Sequence, residues 1–292
     1  MTVLLLMNAK GLAVLQALIP YRRNIRCVVG ARDGHVKNDY YDEIRGLSLA
    51  NGIAFCDKSD MDAHVAGDCY KIAVGWRWLI HDTSRLIIMH DSLLPRYRGF
   101  SPLVAQLING ETTIGVTALM ASECYDEGDV IAQEKINVTY PIKIARAIDL
   151  ISGCYVKLAV DIVARLVDGG RLPTCPQCHQ DATYCLWRDE KDYAIDWRRS
   201  AQEIWRFVDA VGYPYSGATA RINGVRCIVN DVELVPDVYV ENRSDHIGKV
   251  IFMKDESPVV VCGAGFLRIV SAKYADGTDL KFSSVKFRSR FS

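Results

Sequence analysis

The chain has 292 residues, half of them apolar and 24% charged, with 35 Lys and Arg against 35 Asp and Glu. That length holds two domain cores and is short for three. The composition is that of an ordinary globular protein, and the zero net charge excludes a global pull toward nucleic acid or an anionic membrane surface. No apolar stretch is long enough for a transmembrane helix. Residues 1–20 are apolar, but they lack a basic leader and Asn8-Ala9-Lys10-Gly11 interrupts the run. They read as strand, loop and helix rather than a secretion signal, so the expected location is cytoplasmic.

Taken in chain order, residues 2–7, 25–29, 53–56, 70–74 and 86–90 are short runs rich in apolar and β-branched side chains. Helical patterns at 12–19 and 40–51 lie between the early ones. This alternation predicts an α/β domain with a parallel sheet covered on both faces. Residues 101–109 read as a helix, 113–120 and 130–138 as two more strands, and 142–167 as a long helix ended by Gly169-Gly170. Residues 171–199 read as a linker followed by the approach to a second domain. That domain, 200–292, opens with a helix at 201–211 and continues as short strands. Its turns are Asn223-Gly224, Asp255-Glu256-Ser257-Pro258, Gly263-Ala264-Gly265 and Asp276-Gly277. The prediction is a Rossmann-like domain over 1–170 and a smaller, mostly β domain after it.

Ten scattered cysteines do not make a disulfide framework. The one cluster, Cys175-Pro176-Gln177-Cys178-His179 with Cys185, has ligand types that suit zinc. No second Cys-x-x-Cys pair supports it, so a surface loop without metal is expected.

The most informative stretch is the strand Leu86-Ile87-Ile88-Met89-His90, its loop Asp91-Ser92-Leu93-Leu94-Pro95-Arg96-Tyr97-Arg98-Gly99, and the turn Tyr125-Asp126-Glu127-Gly128-Asp129. These motifs place an imidazole and a carboxylate at predicted strand ends, where open α/β sheets build their sites. The wording resembles the N10-formyltetrahydrofolate-dependent formyltransferases: the strand-His-x-Ser-Leu-Leu-Pro loop, the Tyr-Arg-Gly, and the Asp-x-Gly-Asp. The resemblance extends to Ile195-Asp196-Trp197, Val208-Asp209-Ala210 and Pro214-Tyr215-Ser216-Gly217-Ala218. It implies a Rossmann-like formyltransferase domain followed by an OB-like barrel, and N10-formyltetrahydrofolate as formyl donor. The Pro176-Gln177 and Ala182-Thr183-Tyr184 pairs also echo the family.

Formyl transfer to an amine passes through a tetrahedral intermediate with a developing oxyanion, which needs a hydrogen-bond donor and an acceptor for the amine proton. His90 is the natural donor and Asp126 the natural acceptor, able also to hold the imidazole in its productive form. One position departs from the family: its asparagine two residues before the histidine is Ile88 here. Residues two apart on a strand share a face, so a second oxyanion donor is missing. A backbone N–H beside His90, or an asparagine from elsewhere (Asn8 or Asn109), would make up for it; a weakened or inactive relative is the remaining reading.

By resemblance, Gly75-Trp76-Arg77-Trp78-Leu79 lies against the pterin and near the acceptor. The two tryptophans either stack on a flat ring or pack in the core, and Arg77 is placed to hold a phosphate or carboxylate. Ser92 and Leu93 of the loop, and the turn residues Glu127, Gly128 and Asp129, are implied on the folate side. Arg98 is expected to meet an anion, with Asn8 and Trp78 near the acceptor.

Family members formylate initiator methionyl-tRNA, a glycinamide ribonucleotide, or a nucleotide-linked amino sugar. A tRNA binder should carry a basic footprint, yet residues 187–292 hold 16 Lys and Arg against 15 Asp and Glu. The expected acceptor is therefore a nucleotide-linked amino sugar, with no nucleic acid or membrane partner and a homodimer left open. Methionyl-tRNA formyltransferase, or a non-catalytic folate- or nucleotide-sugar-binding relative, is the alternative.

Overall fold

A computed structural model describes residues 1–61 and 67–292. The chain divides into two compact units. One comprises Met1–Leu103, Thr112–Val138 and Arg146–Trp187; the other comprises Val104–Glu111, Thr139–Ala145 and Arg188–Ser292.

The first unit is built on a seven-stranded sheet. Its strands are β1 (Thr2–Leu6), β2 (Ile25–Gly30), β3 (Ala54–Asp57), β4 (Tyr70–Val74) and β5 (Leu86–His90), then β7 (Thr113–Met120) and β8 (Val130–Asn137) after the two-residue β6 (Arg98–Gly99). The spatial order is β3-β2-β1-β4-β5-β7-β8. Every residue of β1 is buried, as its unbroken Val-Leu-Leu-Leu run requires of a central strand covered on both faces. The first five strands pair in parallel. β7 and β8 do not: β5–β7 and β7–β8 are antiparallel, so the sheet is mixed rather than wholly parallel. β8 alternates exposed and half-buried residues along Glu134–Asn137, the pattern of a sheet edge.

Helices α1 (Asn8–Leu18) and α2 (Tyr41–Ala50) connect the early strands. The strand order reverses between β1 and β4, which run parallel, and that is the crevice where open sheets of this order take ligands. Asn8 follows β1 and Gly75 follows β4 at that point, and Leu6 pairs with Val74.

Residues 171–187, expected as a linker, pack on the first unit. Cys175 bridges Val130, and β9 (Tyr184–Cys185) pairs in parallel with β6. The segment lacks periodicity because its backbone pairs with loops, not with a regular sheet.

Within the second unit, β10 (Ala218–Ile222), β11 (Val225–Val235), β12 (Val250–Lys254), β13 (Ser257–Val261) and β14 (Phe266–Tyr274) form an antiparallel sheet ordered β10-β11-β14-β13-β12. The chain terminus joins its two edges. Ser292 exchanges backbone hydrogen bonds with Arg221, Phe291 donates to Gly248, and Val250 donates to Ser289. The five strands and this tail make the barrel-like closure expected of an OB-type domain, which removes open edges. The helix Ala201–Val211 starts at a capping box in which Ser200 and Glu203 satisfy each other's backbone N–H, and it buries Ile204, Val208 and Val211. Among the described residues, no helix is long and apolar enough to cross a membrane.

Candidate active site

His90 ends β5 and is 7% exposed. Its Nε2 lies 2.8 Å from the carbonyl oxygen of Tyr97. A carbonyl only accepts, so Nε2 carries the proton. Nδ1 faces the other way, 3.5 Å from Asp126 Oδ2. That same carboxylate oxygen accepts the Gly99 N–H at 2.8 Å. The structure thus brings His90 and Asp126 together but corrects the expected role of the imidazole as oxyanion donor: its Nε2–H is taken by the Tyr97 carbonyl, and Nδ1 is the nitrogen left facing the carboxylate.

Asp126 does not reach this place from a strand end. β7 runs antiparallel to β5, so Met120 pairs with Ile87 and Ala121 donates to Leu86 at the far end of β5. Leu86 to His90 is a climb of about 13 Å at strand rise. Residues 121–129 fold back along the sheet to cover it. Asp126 takes φ +56°, and a side chain on Gly128 would strike the Met120 carbonyl, its Cβ only 1.8 Å away. Glycine is required there by contact, not by dihedral.

Gln177 anchors this turn from behind. Its amide nitrogen donates to the Asp126 and Gly128 carbonyls at 2.8 and 2.7 Å. Its oxygen accepts from Arg98 Nη2 at 2.8 Å and from Nε at 3.2 Å. Arg98 is fully buried, and its Nη1 donates to Glu127 at 3.0 Å and to Tyr184 at 3.1 Å and contacts His179 Nδ1. The expectation that Arg98 meets an anion of the substrate is therefore corrected: it is fully buried, and the anion it meets is the Glu127 carboxylate of the turn it holds. Glu127 likewise accepts from Arg98 and from the Tyr184 hydroxyl at 2.9 Å. Asp129 is exposed, and only its carbonyl is engaged in the turn, by the Met120 N–H.

The loop after His90 is clipped on itself. Ser92, expected on the folate side, is wholly buried and donates to the Arg96 carbonyl at 2.7 Å. Leu93 packs over Gly115. Thr183 holds the far side of the loop: its hydroxyl accepts the Tyr97 N–H at 2.8 Å and its carbonyl the Arg98 N–H at 2.8 Å. Beneath the loop, Asp91 accepts from Lys10 at 2.5 Å and from the Tyr155 hydroxyl. Burial opposes the charge on Asp91, but Lys10's charge and these hydrogen bonds outweigh it and leave the carboxyl below its ordinary range.

Ile88 shares the face of His90 and packs, half-buried, with Trp76 and Ala121 against a core cluster containing Val3, Leu5 and Ala73. The wall where the family asparagine would stand is apolar. Gly75 takes φ +63°, and a side chain there would run into the Asn8 amide, with Cβ 2.3 Å from Nδ2. Asn8 Oδ1 accepts the Lys10 N–H at 3.0 Å, which leaves its amino group on the Gly75 side. Asn109 belongs to the second unit. Trp76 meets Trp78 edge to face at 5.6 Å, Lys58 lies 4.2 Å over Trp78, and Leu79 is 63% exposed. The Trp76 indole nitrogen is buried without a hydrogen-bond partner among the described residues. Arg77 pairs with Asp33 and lies 4.9 Å over the Trp187 ring. Among the described residues, no three His, Cys, Asp or Glu side chains gather as a metal site.

Gln177, Thr183 and Tyr184 were the residues whose roles sequence reasoning missed. The signal was present in the Pro-Gln and Ala-Thr-Tyr pairs, but an aperiodic stretch gives no hint of what its side chains hold.

A Rossmann-order sheet with a histidine–aspartate pair over its carboxyl edge, joined in one chain to a closed β unit, defines a two-domain α/β protein with a catalytic-type site. Residues 56–144 match the family described as "Formyl transferase", and 188–286 match "Formyl transferase, C-terminal domain". The chain belongs to the formyl transferase family. It is similar to the methionyl-tRNA formyltransferase of Ralstonia nicotianae, 30% identical over 194 residues, which covers 66% of this chain and 58% of that protein. The match thus spans about three fifths of the length of the curated relatives. In fold, it is similar to the N-formyltransferase from Helicobacter canadensis solved with folinic acid and dTDP-3-aminofucose (TM-score 0.66, 14% identity, 96% of this chain and 99% of that one). It is also similar to HypX from Aquifex aeolicus in complex with tetrahydrofolic acid (TM-score 0.63, 16% identity, 97% and 46%).

Proposed function

We propose that this protein transfers a formyl group from N10-formyltetrahydrofolate to the amino group of a nucleotide-linked amino sugar. The observation that carries the transfer is the clamped pair, His90 Nδ1 at 3.5 Å from Asp126 Oδ2. When bound, the folate supplies the formyl carbon. As the amine nitrogen bonds the formyl carbon, Asp126 accepts the proton that the amine loses. As the bond from that carbon to the donor nitrogen breaks, the pair returns a proton to the departing nitrogen, with His90 Nδ1 placed to hold it between the two events. The Tyr97 carbonyl fixes the ring so that Nδ1 stays turned to Asp126. The residues present fit the donor: Trp76 has a buried N–H without an acceptor among the described residues, which a polar edge of the pterin would satisfy, and Leu79 offers an open apolar edge. Gly75, Trp76, Leu79 and the 126–129 turn would hold it.

The sugar acceptor is favoured by the charge balance of residues 187–292, 16 basic against 15 acidic. The end-to-end fold match to a protein solved with dTDP-3-aminofucose points the same way. The second reading, formylation of methionyl-tRNA, is favoured by the name of the sequence relative. A parallel assay with formyl-folate and both acceptor classes separates them. Product on a UDP- or dTDP-linked amino sugar, and none on aminoacyl-tRNA at ordinary salt, is expected. Robust formyl-methionyl-tRNA with no sugar product would overturn the proposal, because tRNA contacts should also show a steep salt dependence.

A further inference from the structure

Three aromatic side chains beside the His90–Asp126 pair stand open to solvent. Phe100, Tyr125 and Trp187 are 42%, 69% and 51% exposed. Single exposed aromatics are ordinary, but a run of three in which Phe100 touches both of the others, next to a site, is not. Phe100 and Trp187 lie 5.5 Å apart at 75°, and Phe100 and Tyr125 6.5 Å apart at 49°. Neither pair is stacked in parallel, and each ring keeps a large exposed area that a flat ligand can cover.

Each edge of this group is tied to the site by one peptide unit. Phe100 follows Gly99, whose N–H binds Asp126 Oδ2, and its own N–H donates to the Cys185 carbonyl at 3.0 Å. Tyr125 immediately precedes Asp126. A cation completes the group, with the Arg77 guanidinium 4.9 Å from the Trp187 ring centre. Asp33 engages Nη1 of Arg77 and so orients the fork, and the side chain remains 30% exposed.

Open aromatic faces next to an oriented guanidinium suit a flat ring that carries phosphate. The proposed reaction has two flat rings. The pterin is assigned above to Gly75, Trp76, Leu79 and residues 126–129, which leaves the base of the acceptor. Resting on the sugar-acceptor reading, we infer that Phe100, Tyr125 and Trp187 form the platform on which the nucleotide base of the acceptor stacks, with Arg77 meeting its diphosphate. The platform selects a nucleoside-diphosphate-linked amine over a free amino sugar. Stacking tolerates any base, so it leaves the choice of base to other contacts.

The test measures binding and kinetics separately. UDP and dTDP alone are titrated against the full-length protein by calorimetry, and KM is measured for the sugar nucleotide and for formyl-folate. Trp187→Ala and Phe100→Ala should each weaken nucleotide binding and raise the sugar KM by about tenfold or more, with the KM for formyl-folate unmoved. Trp187→Phe should restore most of the affinity, and Arg77→Gln should lose the preference for diphosphate over nucleoside. Unchanged nucleotide binding in both alanine variants overturns the inference. A rise confined to the formyl-folate KM also overturns it and gives the platform to the folate. If no sugar is formylated but nucleotide binding still falls in Trp187→Ala, the acceptor reading fails and the platform stands.

Discussion

Replacing Gln177 with Leu tests whether the former linker builds the site. The side chain is 8% exposed and makes four hydrogen bonds, two to turn carbonyls and two from Arg98. Leu fills similar space but removes all four. The Arg98 contacts are charge-assisted and worth about 1.5–3 kcal/mol, and the two carbonyl bonds about 1 kcal/mol each. Arg98 keeps Glu127 and Tyr184, so the loss sums to roughly 3 kcal/mol, not the full total. For a unit of this size that is a fall in Tm of about 6–12 °C. Without Gln177 the turn loses the tie behind Asp126, and a displacement of about 1 Å at the reacting group costs on the order of 100-fold in rate. Thermal melting and kcat for formyl transfer read the two effects. A variant within 2 °C of wild type, at full kcat, would refute the claim that residues 171–187 position Asp126.

Asp126→Asn and His90→Ala should each lower kcat by about two to four orders of magnitude with stability little changed, checked by steady-state kinetics beside a melt. Ile88→Asn places an amide in an apolar wall and should cost about 1–3 kcal/mol without raising formyl transfer; a tenfold gain in kcat would show that this chain is a degenerate relative awaiting its asparagine. Asp91→Asn should destabilise the first unit by about 3 kcal/mol, measured in denaturant, because Lys10 is left charged and buried without its partner. Lys71 is fully buried and its charge is met by Asp82 at 2.5 Å; that bond and those from Ser84 hold the Asp82 carboxyl at about 2. Its folded value lies below the unfolded one, so the pair stabilises the fold above the ordinary carboxylate range and loses that contribution as pH falls from about 4 to about 2. Asp82→Asn should flatten this segment of the stability–pH curve, and an unchanged acid limb would count against it.

Most elements of the fold, and the two residues of the candidate pair, His90 and Asp126, were legible in the order of residues alone. Burial on both faces demands apolar runs, so β1 and β5 are written plainly in the chain, and β4 nearly so, its Ile72-Ala73-Val74 following the buried Lys71. A histidine closing such a strand is placed at the carboxyl edge by chain direction alone. What the sequence could not carry was strand polarity beyond β5: residues 113–120 have the same apolar character whether they run parallel or antiparallel, and only sheet pairing decided it. From that choice follows the fold-back of 121–129 that brings Asp126 to His90. Arg98 shows the same limit. A guanidinium in a loop reads as exposed, and only the convergence of Gln177, Glu127 and Tyr184, from segments up to 86 residues away, made its burial tolerable. Local pattern encodes which face a residue prefers, whereas partners distant in sequence decide whether a buried charge is satisfied, and those partners exist only once the chain has folded.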